Sequence, residues 1–214
     1  MESFTYQSSP TENRLETYEW DNVWWEHTEK KDCPRILIIG DSISCGYRSL
    51  VNRKLSGKAV ADGFGTSKAV DNPAFPLALN YLCAQQPQYD LILLNNGLHG
   101  WHLQEEQYQQ QYHLLVHEIQ KKWSKAKLLL LLTTPVRDSN NLASLDERNQ
   151  RVIQRNQEIQ AIAESEGLKL LDLYSPLLNE VSLSKPDGVH FQEAGYDKIA
   201  GLVAEKIQQL LGLE

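Results

Sequence analysis

The stretch R-I-L-I-I-G-D-S, residues 35–42, decides the fold prediction. Arg35 to Ile39 is a continuous, mostly apolar and β-branched run, which is typical of a strand buried on both faces. Gly40 lets the chain bend sharply, and Ser42 then stands directly after the strand, at a strand-to-helix turn. Open α/β sheets hold their sites at the carboxyl ends of their strands, so this hydroxyl is a candidate functional group.

Four further runs downstream predict strands of the same kind, and the first of them is the weakest. All are continuous rather than alternating, which indicates a parallel sheet with both faces covered. With the first strand they predict a five-stranded sheet. The runs are Lys58–Ala61, Leu91–Leu94, Leu128–Thr133 and Leu168–Leu173.

Helical periodicity fills the intervals between these strands. The third helix carries Val152, Ile159 and Ala163 on one stripe and ends at Gly167, a residue suited to a helix C-terminus. Asn156 interrupts that stripe, and we expect it to be a buried hydrogen-bonding residue rather than a catalytic one. Strands that alternate with helices predict a doubly wound α/β structure. The predicted helices span about 74–84, 103–123, 145–166 and 192–211.

The first 34 residues differ from the rest, being polar and irregular apart from Trp20, Trp24 and Trp25. We expect residues 1–34 to form an arm packed against a single domain that spans residues 35–214. Since tryptophans are seldom left in water without a reason, the alternatives are a dimer contact or a wall of the substrate site.

The bulk composition is that of an ordinary globular domain, with 41% hydrophobic and 23% charged residues. A net charge of −7 argues against nucleic-acid binding and against docking on anionic lipid, both of which need clustered cations. The longest apolar run, Leu128–Leu132, is too short to cross a membrane, and the N-terminus has no signal-peptide pattern. Three cysteines, Cys33, Cys45 and Cys83, favour a reducing compartment. We therefore expect a cytoplasmic protein, with homo-oligomerisation left open.

His190 is the histidine best placed to activate Ser42. A serine hydroxyl is a weak nucleophile until a neighbouring base takes its proton. His190 lies in a Pro-Asp-Gly-Val-His turn ahead of the last helix, and Asp187, three residues earlier, can fold back onto its ring. Such a carboxylate would orient the imidazole and stabilise its protonated form.

His113 and His117 lie four residues apart on one predicted helix, which is also a spacing found among metal ligands. There is no His-Glu-x-x-His pattern, and no third ligand is evident in the sequence nearby. The sequence therefore favours surface or boundary residues here, and we expect no metal site.

Gly-Asp-Ser after the first strand and Asp-x-x-His before the last helix together resemble the SGNH, or GDSL-like, hydrolases. The resemblance covers residues 35–211. It implies a flavodoxin-like three-layer α/β/α sandwich with a five-stranded parallel sheet, and an acyl-enzyme mechanism that needs no cofactor. In that mechanism Ser42 is the nucleophile, His190 the base and Asp187 the orienting acid.

The resemblance also implies an oxyanion hole, in which the Ser42 amide is one donor. The second is a glycine after the second strand, for which Gly65 fits best and Gly63 is the alternative. The family's Gly-x-Asn-Asp block reads Gly-Leu-His-Gly over residues 97–100, so His99 stands where the asparagine belongs. A neutral imidazole N–H can donate as an amide does. Asn95 and Asn96 are the alternative donors.

We assign a further group of residues near these blocks to substrate binding. Polar and aromatic side chains there suit a small acyl group on a polar alcohol, so the predicted partner is a small-molecule or saccharide ester, above all a sugar acetyl ester. A short-chain thioesterase or arylesterase and a decayed, non-catalytic binding module are the alternatives. A nucleotide-binding or receiver domain is disfavoured, since the loop after the first strand has a single glycine. The assigned residues are Asp41, Asn96, Trp101 and His102.

Overall fold

In the computed structural model, which describes residues 18–213, a six-stranded sheet lies between two layers of helices. The predictions made for residues 1–17 lie outside the described residues. The strands are β1 (Asp21–Trp24), β2 (Arg35–Gly40), β3 (Val60–Thr66), β4 (Leu91–Leu94), β5 (Lys127–Leu131), β6 (Arg137–Asp138), β7 (Asn141–Leu145) and β8 (Lys169–Leu171). The helices are α1 (Ser42–Leu55), α2 (Ala74–Gln85), α3 (Glu105–Lys122), α4 (Asn149–Ser165) and α5 (Glu193–Leu211).

The order of the large sheet is β1-β3-β2-β4-β5-β8. Its last five strands are parallel and correspond to the five strands predicted from the sequence, so the α/β fold class is confirmed. Counted along the chain, these five follow the order 2-1-3-4-5 of flavodoxin-like sheets. The direction of winding reverses between β2 and β4, and Ser42 follows β2 at this switch point, where such sheets bind their ligands.

The sixth strand, β1, was not predicted. It lies antiparallel to β3 at the edge of the sheet, with Asn22 opposite Gly65. Its four residues, DNVW, carry too short an apolar run to stand out as a strand. Because β1 runs against β3, residues 18–21 lie beside the carboxyl end of β3, at the functional edge of the sheet.

Both faces of the sheet are buried, as the continuous apolar runs predicted. Along β2, Ile36 and Ile38 belong to the core beneath α1 and α5, while Leu37 and Ile39 belong to the core beneath α2, α3 and α4. Each of these four side chains is at most 1% exposed. The sheet is therefore a rigid base for the loops at its carboxyl edge.

A small two-stranded hairpin, β6 and β7, occupies the connection between β5 and α4. The sequence predicted a helix from about residue 145, whereas α4 begins at Asn149 and the preceding residues form the hairpin. Among the described helices, none is long and apolar enough to span a bilayer.

Candidate active site

Ser42 is the first residue of α1, and the turn that precedes it is tightly specified. The Asp41 side chain accepts a hydrogen bond from the Ile43 amide at 2.9 Å, and the Asp41 carbonyl accepts one from the Ser44 hydroxyl at 2.6 Å. A Cβ on Gly40 would lie 2.7 Å from the Ser44 Cβ, so a larger residue would displace this turn. Asp41, predicted to bind substrate, is 1% exposed and instead caps α1.

The three side chains predicted as a triad lie in hydrogen-bond contact. The Ser42 Oγ is 2.9 Å from the His190 Nε2, although the two residues are 148 positions apart in the chain. The His190 Nδ1 is 3.0 Å from the Asp187 Oδ2. The order hydroxyl, imidazole, carboxylate is the one that a nucleophile and its base require.

The turn before His190 holds the imidazole in place. The Asp187 Oδ1 accepts hydrogen bonds from the amides of Val189 and His190, each at 2.8 Å. Gly188 has φ +73°, and a Cβ there would lie 2.1 Å from the carbonyl oxygen of Arg137. The Arg137 amide in turn donates to the Gly188 carbonyl at 2.7 Å. The β6–β7 hairpin therefore anchors this turn.

Asp187 is held in its charged form. Burial raises its pKa, but hydrogen bonds from the His190 and Val189 amides and from the His190 ring outweigh this effect, so the net pKa is lowered. An ionised carboxylate accepts a hydrogen bond from Nδ1–H, which leaves the Nε2 lone pair facing the Ser42 hydroxyl. This is the tautomer that a general base needs.

A cavity of about 710 Å³ opens beside the triad. One wall comes from the N-terminal segment, including Trp20, and the lining also includes Ser139 of the β6–β7 turn and Arg148. Trp20 thus occupies the position that the sequence offered as one alternative for the tryptophan-rich segment, a wall of the site. The lining residues are Tyr18, Trp20, Asp21, Asn22, Ser42, Ser139, Arg148, Asp187, Val189 and His190.

Two charged residues that line the cavity, Asp21 and Arg148, are each paired with an opposite charge. The Asp21 Oδ1 lies 2.8 Å from the Lys68 Nζ, and the Arg148 Nε lies 2.7 Å from the Asp146 Oδ1. The hydrogen bond from Arg148 holds the pKa of Asp146 low, against the effect of its burial. The cavity therefore presents polar groups whose charges are largely balanced.

The loop after β4 crosses the carboxyl edge of the sheet. A Cβ on Gly97 would lie 1.8 Å from the Thr133 Oγ1, next to the end of β5, and a Cβ on Gly100 would lie 2.8 Å from the Ala69 Cβ, beyond the end of β3. The chain between them, which contains His99, is therefore held between the segment that follows β5 and the segment that follows β3. His99 is 1% exposed and is not among the described residues that line the cavity.

Arg155 holds this loop from below, and the sequence did not single it out. It is fully buried, and its guanidinium donates to the carbonyl oxygens of Gly97, His99 and Gly100 at 3.1, 2.7 and 2.7 Å. Its charge is balanced by Glu105, at 3.4 Å. An arginine within a polar helical stretch is ordinarily exposed, so its residue type did not indicate burial. The one signal in the sequence was its position next to Asn156, which was expected to be buried on α4.

Trp101 and His102, predicted to line the substrate site, support the loop instead. The Trp101 ring is 5% exposed and lies 4.5 Å from the Arg155 Cζ. The His102 Nε2 lies 2.9 Å from the Asp71 Oδ2, and both side chains are largely buried. Neither is among the described lining residues, since Trp101 packs on Arg155 and His102 is hydrogen-bonded to Asp71.

The asparagines of this region are engaged with the backbone. The Asn95 side-chain amide donates hydrogen bonds to the Leu131 carbonyl and to the Thr133 hydroxyl, at 2.8 and 3.1 Å. Asn96, also predicted to bind substrate, donates to the Lys68 carbonyl at 2.8 Å and is fully buried. Both side-chain amides are therefore used to hold the loop, Asn95 on the end of β5 and Asn96 on the segment after β3, which argues against either as the alternative oxyanion donor.

Asn156 hydrogen-bonds to the Thr133 backbone in both directions, at 2.8 and 2.9 Å. It has the structural role that its place in the apolar stripe indicated.

Gly65, the predicted glycine donor, lies inside β3, between Gly40 of β2 and Asn22 of β1. The Ser67 amide donates to the Trp20 carbonyl, and hydrogen-bonded pairs recur every second residue along an antiparallel ladder. The Gly65 N–H is therefore directed at Asn22, along the sheet. Gly65 is also a point of close approach, since a Cβ there would lie 2.2 Å from the Cys45 Sγ.

Cys45 lies one helical turn from Ser42, but its thiol is a poor competitor as a nucleophile. Burial, together with the nearby Asp41 carboxylate, raises its pKa to about 11. The thiol is therefore protonated near neutral pH.

Comparison with known proteins identifies the family of this chain. A family model described as "GDSL-like Lipase/Acylhydrolase family" matches residues 38–198, a span that includes Ser42, Asp187 and His190. No curated protein gives a significant match.

Solved structures of low sequence identity share the fold. An acetyl xylan esterase is 18% identical with a TM-score of 0.64, over 81% of this chain and 99% of that one. The native aryl esterase of M. smegmatis is 16% identical with a TM-score of 0.66, and the match covers 83% of this chain and 100% of the esterase. A lipase/acylhydrolase from Enterococcus faecalis is 18% identical with a TM-score of 0.64, and the match covers 82% of this chain and 96% of the lipase/acylhydrolase.

Proposed function

Because the chain belongs to the GDSL-like lipase/acylhydrolase family and is a carboxylic ester hydrolase, we propose that it cleaves short-acyl esters, chiefly acetyl esters of carbohydrates, with Ser42 as nucleophile. The observation that carries this proposal is the hydrogen-bonded chain from Ser42 through His190 to Asp187, at 2.9 and 3.0 Å, beside an open cavity.

Acylation begins when the His190 Nε2 takes the hydroxyl proton and the Ser42 Oγ attacks the ester carbonyl carbon. The tetrahedral intermediate then collapses, and the alcohol leaves with the proton from Nε2. The acyl group stays on the Ser42 Oγ. Asp187 remains ionised throughout and stabilises the imidazolium.

Deacylation repeats these steps with water. The His190 Nε2 takes a proton from the water, which attacks the acyl carbon, and Ser42 regains its proton when the carboxylic acid departs. The cavity beside the triad leaves room for both the alcohol and the incoming water.

The Ser42 amide is the first oxyanion donor in this proposal. As the first residue of α1, Ser42 has an N–H without an intrahelical partner, at the positive end of the helix dipole. His99 is the second donor in this proposal, because it follows β4 in the Gly-Leu-His-Gly block, where the family resemblance places a side-chain donor. Gly65 is left out of this part of the proposal, since its amide is directed along the sheet.

The proposed substrate follows from the cavity wall. A volume of about 710 Å³ lies within the range of small-molecule sites, about 300–1,000 Å³. Trp20 and Tyr18 offer aromatic surface for a sugar ring, and Asn22 and Asp21 offer partners for its hydroxyls. The N-terminal arm is therefore part of the proposed substrate site. The acetyl xylan esterase with the same fold is consistent with this choice.

An aryl ester is the second candidate. The same Trp20 and Tyr18 surfaces would also stack on an aromatic alcohol, and the M. smegmatis aryl esterase shares the fold.

The deciding experiment compares acetylated xylo-oligosaccharide with phenyl acetate, and p-nitrophenyl acetate with the butyrate and octanoate esters. We expect acetate release from both acetyl substrates, with higher kcat/KM on the saccharide, and a steady decline with acyl length. Ser42→Ala should abolish all of it. Activity retained by Ser42→Ala would remove this serine from the mechanism, and a preference for phenyl acetate would establish the second candidate. A folded wild-type protein that cleaves none of these esters would favour a binding module.

A further inference from the structure

Outside the triad, three metal-binding side chains meet between two helices of the outer layer. The Glu166 Oε1 lies 2.7 Å from the His113 Nε2 and 3.2 Å from the His117 Nε2. The two imidazole rings are 4.4 Å apart, centroid to centroid. One potential ligand atom from each residue lies within 4.8 Å of the other two.

The two histidines converge because of their spacing on α3. Residues four apart lie on the same face of a helix, one turn above the other. Glu166 immediately follows the last residue of α4, which packs against α3. The sequence showed no third ligand near the histidines, and the structure supplies one from a residue 49 positions further along the chain.

The cluster is remote from the triad and open to solvent. Helix α4 begins at the functional edge of the sheet and runs about 25 Å to its other end, where Glu166 lies. The side chains of His113, His117 and Glu166 are 37%, 52% and 25% exposed. An ion could therefore enter from solvent, and water could complete its coordination.

The distances are close to those of a transition-metal site. Zinc bonds of about 2.0–2.1 Å to nitrogen and oxygen, at tetrahedral angles, separate the ligand atoms by about 3.3–3.4 Å. The His117–Glu166 distance of 3.2 Å already fits, and the His113–Glu166 distance of 2.7 Å would need to open by about 0.6 Å. Rotation of one partly exposed side chain supplies such a change.

We propose that His113, His117 and Glu166 bind one late first-row divalent cation, with Zn²⁺ the best fit, and that this ion ties α3 to α4. Two imidazoles with one carboxylate suit zinc, copper or nickel, whereas magnesium and calcium prefer oxygen ligands.

The experiment is a calorimetric titration of the full, tag-free, metal-stripped chain with Zn²⁺, followed by thermal unfolding with and without the ion. We expect one equivalent to bind. At a concentration about a hundredfold above Kd, the unfolding temperature should rise by about 5–10 °C. Co²⁺ in place of Zn²⁺ should give the visible absorption of a tetrahedral site.

Single substitutions of the proposed ligands test whether the ion binds at this cluster. His117→Ala and Glu166→Gln each remove one ligand from a partly exposed position, and each should weaken binding at least tenfold. His27→Ala is the matched control, since His27 lies 3.3 Å from the Glu29 carboxylate but is not among the residues of the cluster. It should bind as the wild type does. Ester hydrolysis by His117→Ala should stay at the wild-type level, because the cluster is far from Ser42.

Absence of stoichiometric binding would show that the cluster is held by hydrogen bonds alone and would overturn the proposal. Binding that survives both substitutions, or that is lost in His27→Ala, would place the ion elsewhere and would also overturn it. None of these outcomes depends on which ester the enzyme cleaves.

Discussion

The guanidinium of Arg155 donates to the carbonyl oxygen of His99 at 2.7 Å, from a position with no solvent exposure. With the carbonyls of Gly97 and Gly100, this contact fixes the path of the loop that carries the proposed second oxyanion donor. A planar, five-donor group can satisfy three carbonyls that point in different directions, and a lysine ammonium cannot do so in the same geometry.

Arg155→Lys should therefore lower kcat on an acetyl ester by about 10²-fold, the usual effect of a 1 Å misplacement near the reacting atoms. The KM should change little, since Arg155 does not line the cavity. Arg151→Lys is the comparison, because Arg151 donates to the Trp101 and Leu103 carbonyls, outside the His99 segment. If Arg155→Lys lowered the yield of folded protein but left kcat per folded molecule unchanged, Arg155 would have a structural role and not a positioning one.

The role proposed for His99 can be tested by two substitutions. His99→Ala removes the donor and should lower kcat by about 10² to 10³, the usual effect of losing one oxyanion-hole donor. His99→Asn keeps an N–H donor and should recover a large part of that loss. Equal rates for wild type and His99→Ala would assign the oxyanion to the Ser42 amide and to a different partner.

Gly188 is the glycine that the turn before His190 requires. Gly188→Ala should destabilise the fold by at least about 1–3 kcal/mol, because φ is +73° and the new Cβ would meet the Arg137 carbonyl. Displacement of His190 should also lower kcat by about 10²-fold. The measurements are denaturant unfolding and initial rates.

Gly201→Ala is the matched control for Gly188→Ala. Gly201 lies within α5, and a Cβ there would meet no atom within 4 Å. The substitution should stabilise the protein by about 0.5–1 kcal/mol and leave kcat unchanged. Similar losses in both variants would mean that the Gly188 turn is not specially constrained.

The lowered pKa of Asp187 predicts how its contribution to stability depends on pH. Its folded value lies below the ordinary 3.8, so the stabilisation is fully present above about pH 4 and is lost as pH falls through the folded pKa. The free energy of unfolding of wild type should therefore exceed that of Asp187→Asn at neutral pH, with the difference shrinking in acid. If the difference in the free energy of unfolding between wild type and Asp187→Asn grew below pH 4, the prediction would be contradicted.

Asp187→Asn should also reduce kcat by about 10³ to 10⁴ at neutral pH, because the imidazole loses the partner that fixes its tautomer. Ser42→Ala should cost at least as much. An unaffected Asp187→Asn variant would mean that another acid orients His190.

The parallel sheet could be predicted because its signal is local. Four of the five parallel strands are short apolar runs, and burial on both faces makes those runs continuous. The exception is β3, Val60–Thr66, which contains Asp62, Gly63 and Gly65 and overlaps the predicted run Lys58–Ala61 by only two residues.

The signal is also local for Ser42 and for the Asp187–His190 turn, since each stands next to a recognisable element boundary. The contact between them spans 148 residues, and it was predicted from the need of the serine for a base and from the resemblance to the family.

Other features were missed because their causes lie far away in the sequence. Arg155 is buried only because three carbonyls of a distant loop accept its hydrogen bonds. Trp101 and His102 looked like pocket residues, but Trp101 packs against Arg155 and His102 pairs with Asp71, and neither is among the described lining residues. Glu166 joins the two histidines only through the packing of α3 on α4. Side-chain partners of this kind leave no periodic trace in a sequence.

The edge strand β1 has a consequence for aggregation. All seven residues of β3 are buried, and its outer edge is covered by the four residues Asp21–Trp24. Without them, β3 would offer a row of unpaired backbone groups that another chain could extend. A short, polar strand is a poor template for such pairing. The segment that lines the cavity therefore also protects the edge of the sheet from pairing with a strand of another chain. Deletion of residues 1–34 should produce chains that self-associate and a site that lacks one wall.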